Sequence, residues 1–507
     1  MVVINNLSFN QGHSCISIST SKYHKIFNCE PFGEFYSSND STRKKSISLS
    51  EDSEQSTNHK DNEVQEHPTA YLKMLFSTSL TIIVPSSKEK LGNRLLKIYN
   101  LKQNLKICEL TFPSNIIDIR LNRKRLLVFL EIGQIYIYDL SCVRLVKVLE
   151  VEPYVSNESN ERLELVGDLS ADDSSYLILP LSIINDQTDL FNAVSASRTS
   201  TPVMKPSDST VSNSLDSLIE LTQKNNNSHF AKKEDITLED LKKDSDGWVL
   251  VYDSINLKPI LIYKAHDSSI AKMTISNDNK KIATASTKGT IIRVCHLDYH
   301  HLEIQKKAKI SQITNLRRGH HLTRINTLSF NQDHSVLGCG SESGTIHFFK
   351  LRTSGESEEE ITTNESEADD ESSKSSEDLN ENLANLLISK PSAHEAEDKG
   401  YFNFTLKTSS KLINNHYTKS IIKKLPYKNY FENLIWEPPR RSFAFIKLPE
   451  YSPLPNHTKN KVEIGFSGLL ILIASYQTGN FYQYQLPKDT DDDKREECNL
   501  INQYSLV

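Results

Sequence analysis

Two stretches of this chain repeat one another at a constant offset of 55 residues, and that repeat limits the fold more than any other feature. Aligning Ala265–Val294 with His320–Phe349 sets His266 on His321, Asp278 on Asp333, Ser286 on Ser341, and Gly289-Thr290-Ile291 on Gly344-Thr345-Ile346. Each copy reads as a strand, a polar turn, a second strand, a glycine turn and a third strand. A further copy opens the chain, where Ser8-Phe9-Asn10-Gln11-Gly12-His13-Ser14 nearly matches Ser329-Phe330-Asn331-Gln332-Asp333-His334-Ser335. The glycine followed by alternating apolar residues recurs at Gly133–Tyr138, Gly247–Tyr252 and Gly479–Tyr484. Short-strand repeats of roughly 40–45 residues mark a β-propeller. The expectation is an all-β fold, a seven-bladed β-propeller forming one domain over 1–507, with blade units starting near residues 2, 69, 108, 161, 265, 322 and 462. The Trp-Asp dipeptide of the commonest propeller family is missing, since Trp248 and Trp436 precede Val and Glu.

Insertions stretch the repeat. Residues 37–67, 187–245 and 353–400 are rich in Ser, Asn, Asp, Glu, Thr and Lys in varying mixtures. Such segments bury too little apolar surface to offset the entropy of ordering, so all three read as disordered loops. They also explain a hydrophobic fraction of only 37%. The net charge of −6 argues against a general nucleic-acid binder, so no nucleic-acid partner is expected. Seven cysteines stand singly with no CxxC pair, and read as buried free thiols of a reducing compartment. The N-terminus lacks the basic start and apolar core of a signal peptide, and the longest apolar run, Leu469–Ala474, is too short to span a bilayer. A cytosolic chain with only peripheral membrane contact is expected.

Between the two repeat copies stands Leu316-Arg317-Arg318-Gly319. Neighbouring side chains of an extended segment point to opposite faces, so one Arg-Arg pair can feed two pockets. Arginine's paired donors suit phosphate. The first copy supplies His266, Ser286, Thr290 and Lys288 around it, and the second supplies Ser341, Ser343, Thr345 and His347. Taken alone, each of these polar residues is better read as satisfying turn backbone. An acidic protein partner competes with a phosphate for the arginines.

With that motif, the chain resembles the PROPPINs, seven-bladed β-propellers that bind phosphoinositides and act in autophagy. Their Phe/Leu-Arg-Arg-Gly signature is matched by Leu316–Gly319, and Ala283–Val294, Cys108–Pro113, Leu121–Leu126 and Gln503-Tyr504-Ser505 also look like theirs. The likeness runs through all blades and fails only in the insertions. It implies two sites for phosphatidylinositol 3-phosphate and phosphatidylinositol 3,5-bisphosphate. Arg317 would serve the first with His266, Ser286 and Thr290. Arg318 would serve the second with Ser341, Ser343, Thr345 and His347. The chain looks most similar to the yeast subgroup of cytoplasm-to-vacuole targeting, which works alongside the ubiquitin-like lipidation machinery. That implies autophagy proteins as partners, and a location in the cytoplasm and on preautophagosomal, endosomal and vacuolar membranes.

Between Asp398 and Glu432 there are seven lysines and no acid. Leu412, Ile413, Tyr417, Ile421, Ile422 and Leu425 recur there at helical spacing, before Pro426. A basic amphipathic helix with aromatic neighbours, within 407–436, suits a membrane interface, with Leu412, Ile413, Ile421, Ile422 and Leu425 inserting. The resemblance supports this, because the family carries a membrane-inserting loop in its sixth blade. A connector packed on the propeller is the alternative. The acidic, serine-rich Ser354–Asp378 before it reads as a solubilising linker, or as a regulatory tail that competes for the basic helix and is strengthened by phosphorylation. The run Arg123-Lys124-Arg125 is either a partner contact or a solvated strand edge. No P-loop, GxSxG, HExxH or zinc-spaced cluster is present. The expectation is therefore a membrane adaptor that is not an enzyme and needs no cofactor or metal. The competing reading is a propeller scaffold whose arginines grip an acidic peptide.

Overall fold

The computed structural model describes residues 2–39, 66–86, 93–151, 166–181, 246–302, 305–351, 439–450, 460–487 and 495–507. The chain divides into two units. Met1–Arg352 with Pro439–Val507 is the propeller; Thr353–Pro438 lies outside the described residues, as do nearly all of 37–67 and all of 187–245, 353–400 and 407–436.

Seven sheets follow one another along the chain, each with four antiparallel strands, and the fifth and sixth gain one further, parallel strand of two residues. Their first strands are Ile4–Phe9, Thr69–Met74, Ile116–Leu121, Asp168–Leu169, Ile270–Ile275, Ile325–Phe330 and Val462–Ser467. Residues of all seven line a central channel of about 270 Å³. The third unit begins at Ile116, not near 108: Cys108 lies in Leu105–Thr111, the outer strand of blade 2. Period-2 alternation explains the packing. In blade 5, Ala283, Ala285, Ile292, Val294 and Leu316 pack with blade 6, while Ile282, Cys295 and Leu297 pack with blade 4. Glycines of positive φ start the third strand in blades 3 to 7, at Gly133, Gly247, Gly289, Gly344 and Gly479. At Gly289 a Cβ would run into the Thr323 carbonyl, so no other residue fits.

The repeat is visible in the turns. Asn10, its side chain bonded to Ser14 Oγ and to the Cys15 amide, does what Asn331 does with Ser335 and Val336. His13, Asn279 and His334 hold the same left-handed position. In the channel, Arg120 bridges Asp118 (2.6 Å) and Asp168 (3.3 Å), tying blade 3 to blade 4, and Lys73 of blade 2 reaches Asp118 at 3.6 Å.

Among the described residues no strand is exchanged between the first and last blades. Blade 1 is built wholly from the N-terminus and blade 7 wholly from Val462–Ser505. Side chains close the ring. Phe32 stacks on Phe27, Phe481 and Tyr504 at 5.4, 5.1 and 4.1 Å between centroids. Tyr476 Oη bonds both the amide and the carbonyl of Leu7, and Gln483 donates to the Cys29 carbonyl at 2.8 Å.

Four cysteines are buried, at 29, 295, 339 and 498, but Cys142 is exposed, against the expectation that all are buried. The basic run on blade 3 divides. Arg125 is buried, donates to the Ser254 carbonyl at 2.9 Å and pairs with Asp139, so it clips blade 3 to blade 4. Arg123, stacked 4.4 Å over Phe76, and Lys124 remain exposed. Among the described residues no helix is long and apolar enough to cross a membrane.

Candidate functional site

Blades 5 and 6 present one edge to which the ends of four strands converge in each. In blade 5 these are the start of Ile270–Ile275, the end of Lys281–Ser286, the start of Ile291–Leu302 and the end of Gln305–Arg317. The paired registers Ile270–Ser286 and Ile291–Arg317 hold those ends level. Leu316 is buried toward blade 6. By alternation Arg317 faces the cleft between blades 4 and 5, and Arg318 faces the cleft between blades 5 and 6.

In the first cleft, His266 is buried on the loop entering blade 5, and its Nε2 lies 3.0 Å from Thr284 Oγ1. Ser286 follows on the same face of the same strand. Arg293 sits opposite Thr284, donates to Asn315 Oδ1 at 3.3 Å and also to the Ala265 carbonyl. Arg317 donates to His320 Nδ1 at 2.9 Å and is partly exposed. Thr290 lies just outside the strand, and its carbonyl accepts the Arg318 amide at 3.0 Å. Lys288 is exposed on the turn.

In the second cleft, Ser341 Oγ lies 2.8 Å from Ser343 Oγ and donates to the Thr345 carbonyl at 3.2 Å. His347 is buried, its Nδ1 3.2 Å from Ser442 Oγ and 2.9 Å from a guanidinium nitrogen of Arg495. Arg318 also has a packing role. It is buried, its Nε donates to the Gly289 carbonyl at 2.6 Å, and its other arm donates to the His321 carbonyl. His321, the repeat partner of His266, is itself exposed. No ion pair with a carboxylate engages Arg293, Arg317, Arg318 or Arg495 among the described residues.

The two copies differ by one residue in the glycine turn. Their first and second strands keep the offset of 55, but Arg293 pairs with Thr284 whereas His347 pairs with Cys339. The extra residue, Thr290, shifts the third strand by one, which exchanges its faces. Arg293 therefore occupies the position that His347 holds in blade 6, and a constant-offset alignment matches His347 to Ile292 instead. Arg293 and Arg495 were both missed for reasons of register and distance in sequence. The signal for Arg293 was its alternation with Ile292 and Val294; for Arg495 there was none.

Each cleft combines a guanidinium, hydroxyls and an imidazole, a donor set for an oxyanion such as a phosphate. The membrane-segment residues Leu412, Ile413, Ile421, Ile422 and Leu425 lie outside the described residues. No group of three or more potential metal ligands occurs among the described residues.

Burial, reinforced by Arg293, lowers the pKa of His266 to about 4; burial, with Arg495 and Arg318, lowers that of His347 to about 3. Both imidazoles are thus neutral at pH 7. In the unfolded chain they titrate near 6.5. Between pH 6.5 and about 4 the unfolded state takes up protons that the native state refuses, so stability is full above 6.5 and falls on acidification through that window. Following the two imidazole C–H resonances by NMR should show neither titrating between pH 7 and 5 in the free protein. A midpoint near 6.5 for either would refute the burial argument.

A profile of the PROPPIN family matches residues 27–205 and 216–428. Autophagy-related protein 21 of Debaryomyces hansenii is 57% identical, with 100% of each chain covered. The protein of the same name from Candida albicans is also 57% identical over the whole of both chains. Autophagy-related protein 18 of Saccharomyces cerevisiae is 35% identical over 69% of this chain and 62% of its own. Among solved structures, a complex of KlAtg21 with the coiled coil of AgAtg16 aligns with TM-score 0.53 at 23% identity, covering 100% of both chains, and agrees in fold. Kluyveromyces lactis Hsv2 aligns with TM-score 0.51 at 14% identity and the same coverage.

Proposed function

The chain belongs to the PROPPIN family, and we propose that it is a peripheral membrane adaptor of autophagy that reads phosphatidylinositol 3-phosphate and phosphatidylinositol 3,5-bisphosphate through the clefts on either side of Arg317-Arg318. One observation carries this reading. Two polar clefts lie side by side on one edge, each with an arginine that forms no ion pair with a carboxylate among the described residues. Two weak sites on one rigid edge act together, because binding at one raises the effective concentration at the other. In this reading the lysine-rich segment 407–436 supplies apolar anchors for the membrane, with Leu412, Ile413, Ile421, Ile422 and Leu425 entering the bilayer interface.

The adaptor brings autophagy proteins of the ubiquitin-like lipidation machinery to preautophagosomal, endosomal and vacuolar membranes. The neighbouring structure of KlAtg21 with the coiled coil of AgAtg16 supports a coiled-coil partner of this kind. The propeller itself acts by binding and not by catalysis.

Flotation of the full chain with vesicles tests this. The protein should float with vesicles containing a 3-phosphorylated phosphoinositide and stay behind with the same vesicles lacking it. Ile421→Asp with Ile422→Asp should weaken flotation but leave binding of soluble inositol 1,3-bisphosphate unchanged, since two apolar anchors worth about 1.5–3 kcal/mol each when buried are lost. Flotation that ignores the 3-phosphate, together with binding of an acidic peptide, would favour a scaffold in place of a lipid reader.

A further inference from the structure

Blade 7 does not run straight from its third strand, Asn480–Gln485, to its outer strand, Asn499–Ser505. Between them the chain leaves its own blade, and Glu496–Glu497 pairs in parallel with the outer strand of blade 6, Ala444–Lys447. This excursion carries Arg495 into the second cleft. Its guanidinium stacks 4.3 Å over Phe445 and donates to His347 Nδ1 at 2.9 Å. The residue is solvent-exposed. Among the described residues no other hydrogen bond engages the stacked guanidinium, which leaves its outer edge able to donate, and the planar stack fixes its direction.

A second cation reaches the same cleft by a different route. In blade 5, Ile291 faces Arg317, two residues before Arg293. In blade 6, Thr345 faces Lys447, two residues before His347. With Arg293 and His347 equivalent, Lys447 is the blade-6 counterpart of Arg317. It is exposed and lies over the Phe445 ring at 5.6 Å. Arg318, by contrast, has its Nε and one further arm committed to backbone carbonyls.

We infer that Arg495, with Lys447 beside it, supplies the phosphate-binding cations of the second cleft, and that Arg318 chiefly shapes that cleft. The ligand class is a phosphate monoester on an inositol ring, as a lipid headgroup or a free inositol phosphate. The inference rests on the lipid-reading function proposed above. It differs from that reading in where the charge comes from: a strap of blade 7, 148 residues along the chain from His347.

The test uses the full chain with Arg317→Thr, which weakens the first cleft, and calorimetry with soluble inositol 1,3-bisphosphate. Adding Arg495→Gln should lower the remaining affinity by at least about tenfold, the effect of losing one charge-assisted contact. Lys447→Gln should lower it by a smaller factor, and Arg495→Lys should restore part of the loss. In a chain whose second cleft is blocked by Ser343→Trp, Arg495→Gln should change nothing. Flotation on vesicles with and without the 3-phosphoinositide, run on the same variants, tells the lipid from the free headgroup. Equal affinities with and without Arg495 in the Arg317→Thr chain, or an equal loss in the Ser343→Trp chain, would overturn the inference. Should Arg495→Gln unfold the strap, the Lys447→Gln result decides: an unchanged affinity there overturns it as well. If the wild-type chain binds neither probe, the lipid reading falls and this inference with it; if it binds and Arg495→Gln is silent, only this inference falls.

Discussion

Replacing both Arg317 and Arg318 by Thr should abolish flotation on vesicles carrying a 3-phosphorylated phosphoinositide. Charge-assisted hydrogen bonds contribute roughly 1.5–3 kcal/mol each; Arg317→Thr removes such a donor from the first cleft and Arg318→Thr removes the clamp that shapes the second, so the linked pair of sites is lost and affinity falls by at least about a hundredfold. The two single variants should not be equivalent. Arg317 is partly exposed and among the described residues its side chain bonds only His320, so Arg317→Thr should weaken binding and leave thermal stability unchanged. Arg318 is buried and satisfies the carbonyls of Gly289 and His321. Removing it strands acceptors whose desolvation costs about 1–3 kcal/mol each, so Arg318→Thr should lower the melting temperature as well as the affinity. Melting curves for the two single variants separate the effects. Identical melting temperatures would mean that the carbonyl contacts of Arg318 contribute nothing, and full flotation of the double variant would remove the arginine pair from the site altogether.

The other large effect is expected at the seam between blades 7 and 1. Most of the ring is tied together by blades that succeed one another along the chain, but among the described residues this seam joins the first and last blades through side-chain contacts with no shared strand. Phe481 is fully buried there, between Phe32 and Phe9. Phe481→Ala should cost about 3–5 kcal/mol, the usual penalty for emptying an aromatic site in a core that cannot collapse to fill it. Phe35 in the outer strand of blade 1 is 57% exposed, and Phe35→Ala should cost little. The comparison is made by urea unfolding, with the shift in midpoint read against an unchanged slope. A loss below about 1 kcal/mol for Phe481→Ala would mean that the seam is held elsewhere, for instance by the Tyr476–Leu7 bonds.

Both results bear on how function is mounted on the fold. A propeller closed without strand exchange depends on the seam for the rigidity of every blade. The two clefts depend on that rigidity, because each is assembled from loop, strand end and neighbouring blade. Blades 5 and 6 are also the ones whose outer edges carry a fifth, two-residue strand, Arg440–Arg441 beside Leu316–Arg317 and Glu496–Glu497 beside Ala444–Phe445. These added strands cover backbone edges that would otherwise be open to solvent next to the arginines.

Much of this molecule was legible in the sequence. The offset repeat and the glycine turns predict seven antiparallel blades, because period-2 burial and left-handed turns are local properties that each short segment writes for itself. The opposite facing of Arg317 and Arg318 follows from the same alternation. Three things belong to the tertiary structure. The extra residue at Thr290 set the register that brings Arg293, and not Ile292, into the first cleft; side-chain face depends on turn length, and one residue reverses it. Arg318 became a buried clamp because the carbonyls of Gly289, in the glycine turn of blade 5, and of His321, on the link to blade 6, converge on it. Arg495 reached His347 from a strap of another blade, through pairing with a strand that lies about fifty residues earlier in the chain. Local pattern determines which elements form and which way their side chains point, whereas contact between distant segments depends on the closure of the ring, which no local pattern encodes.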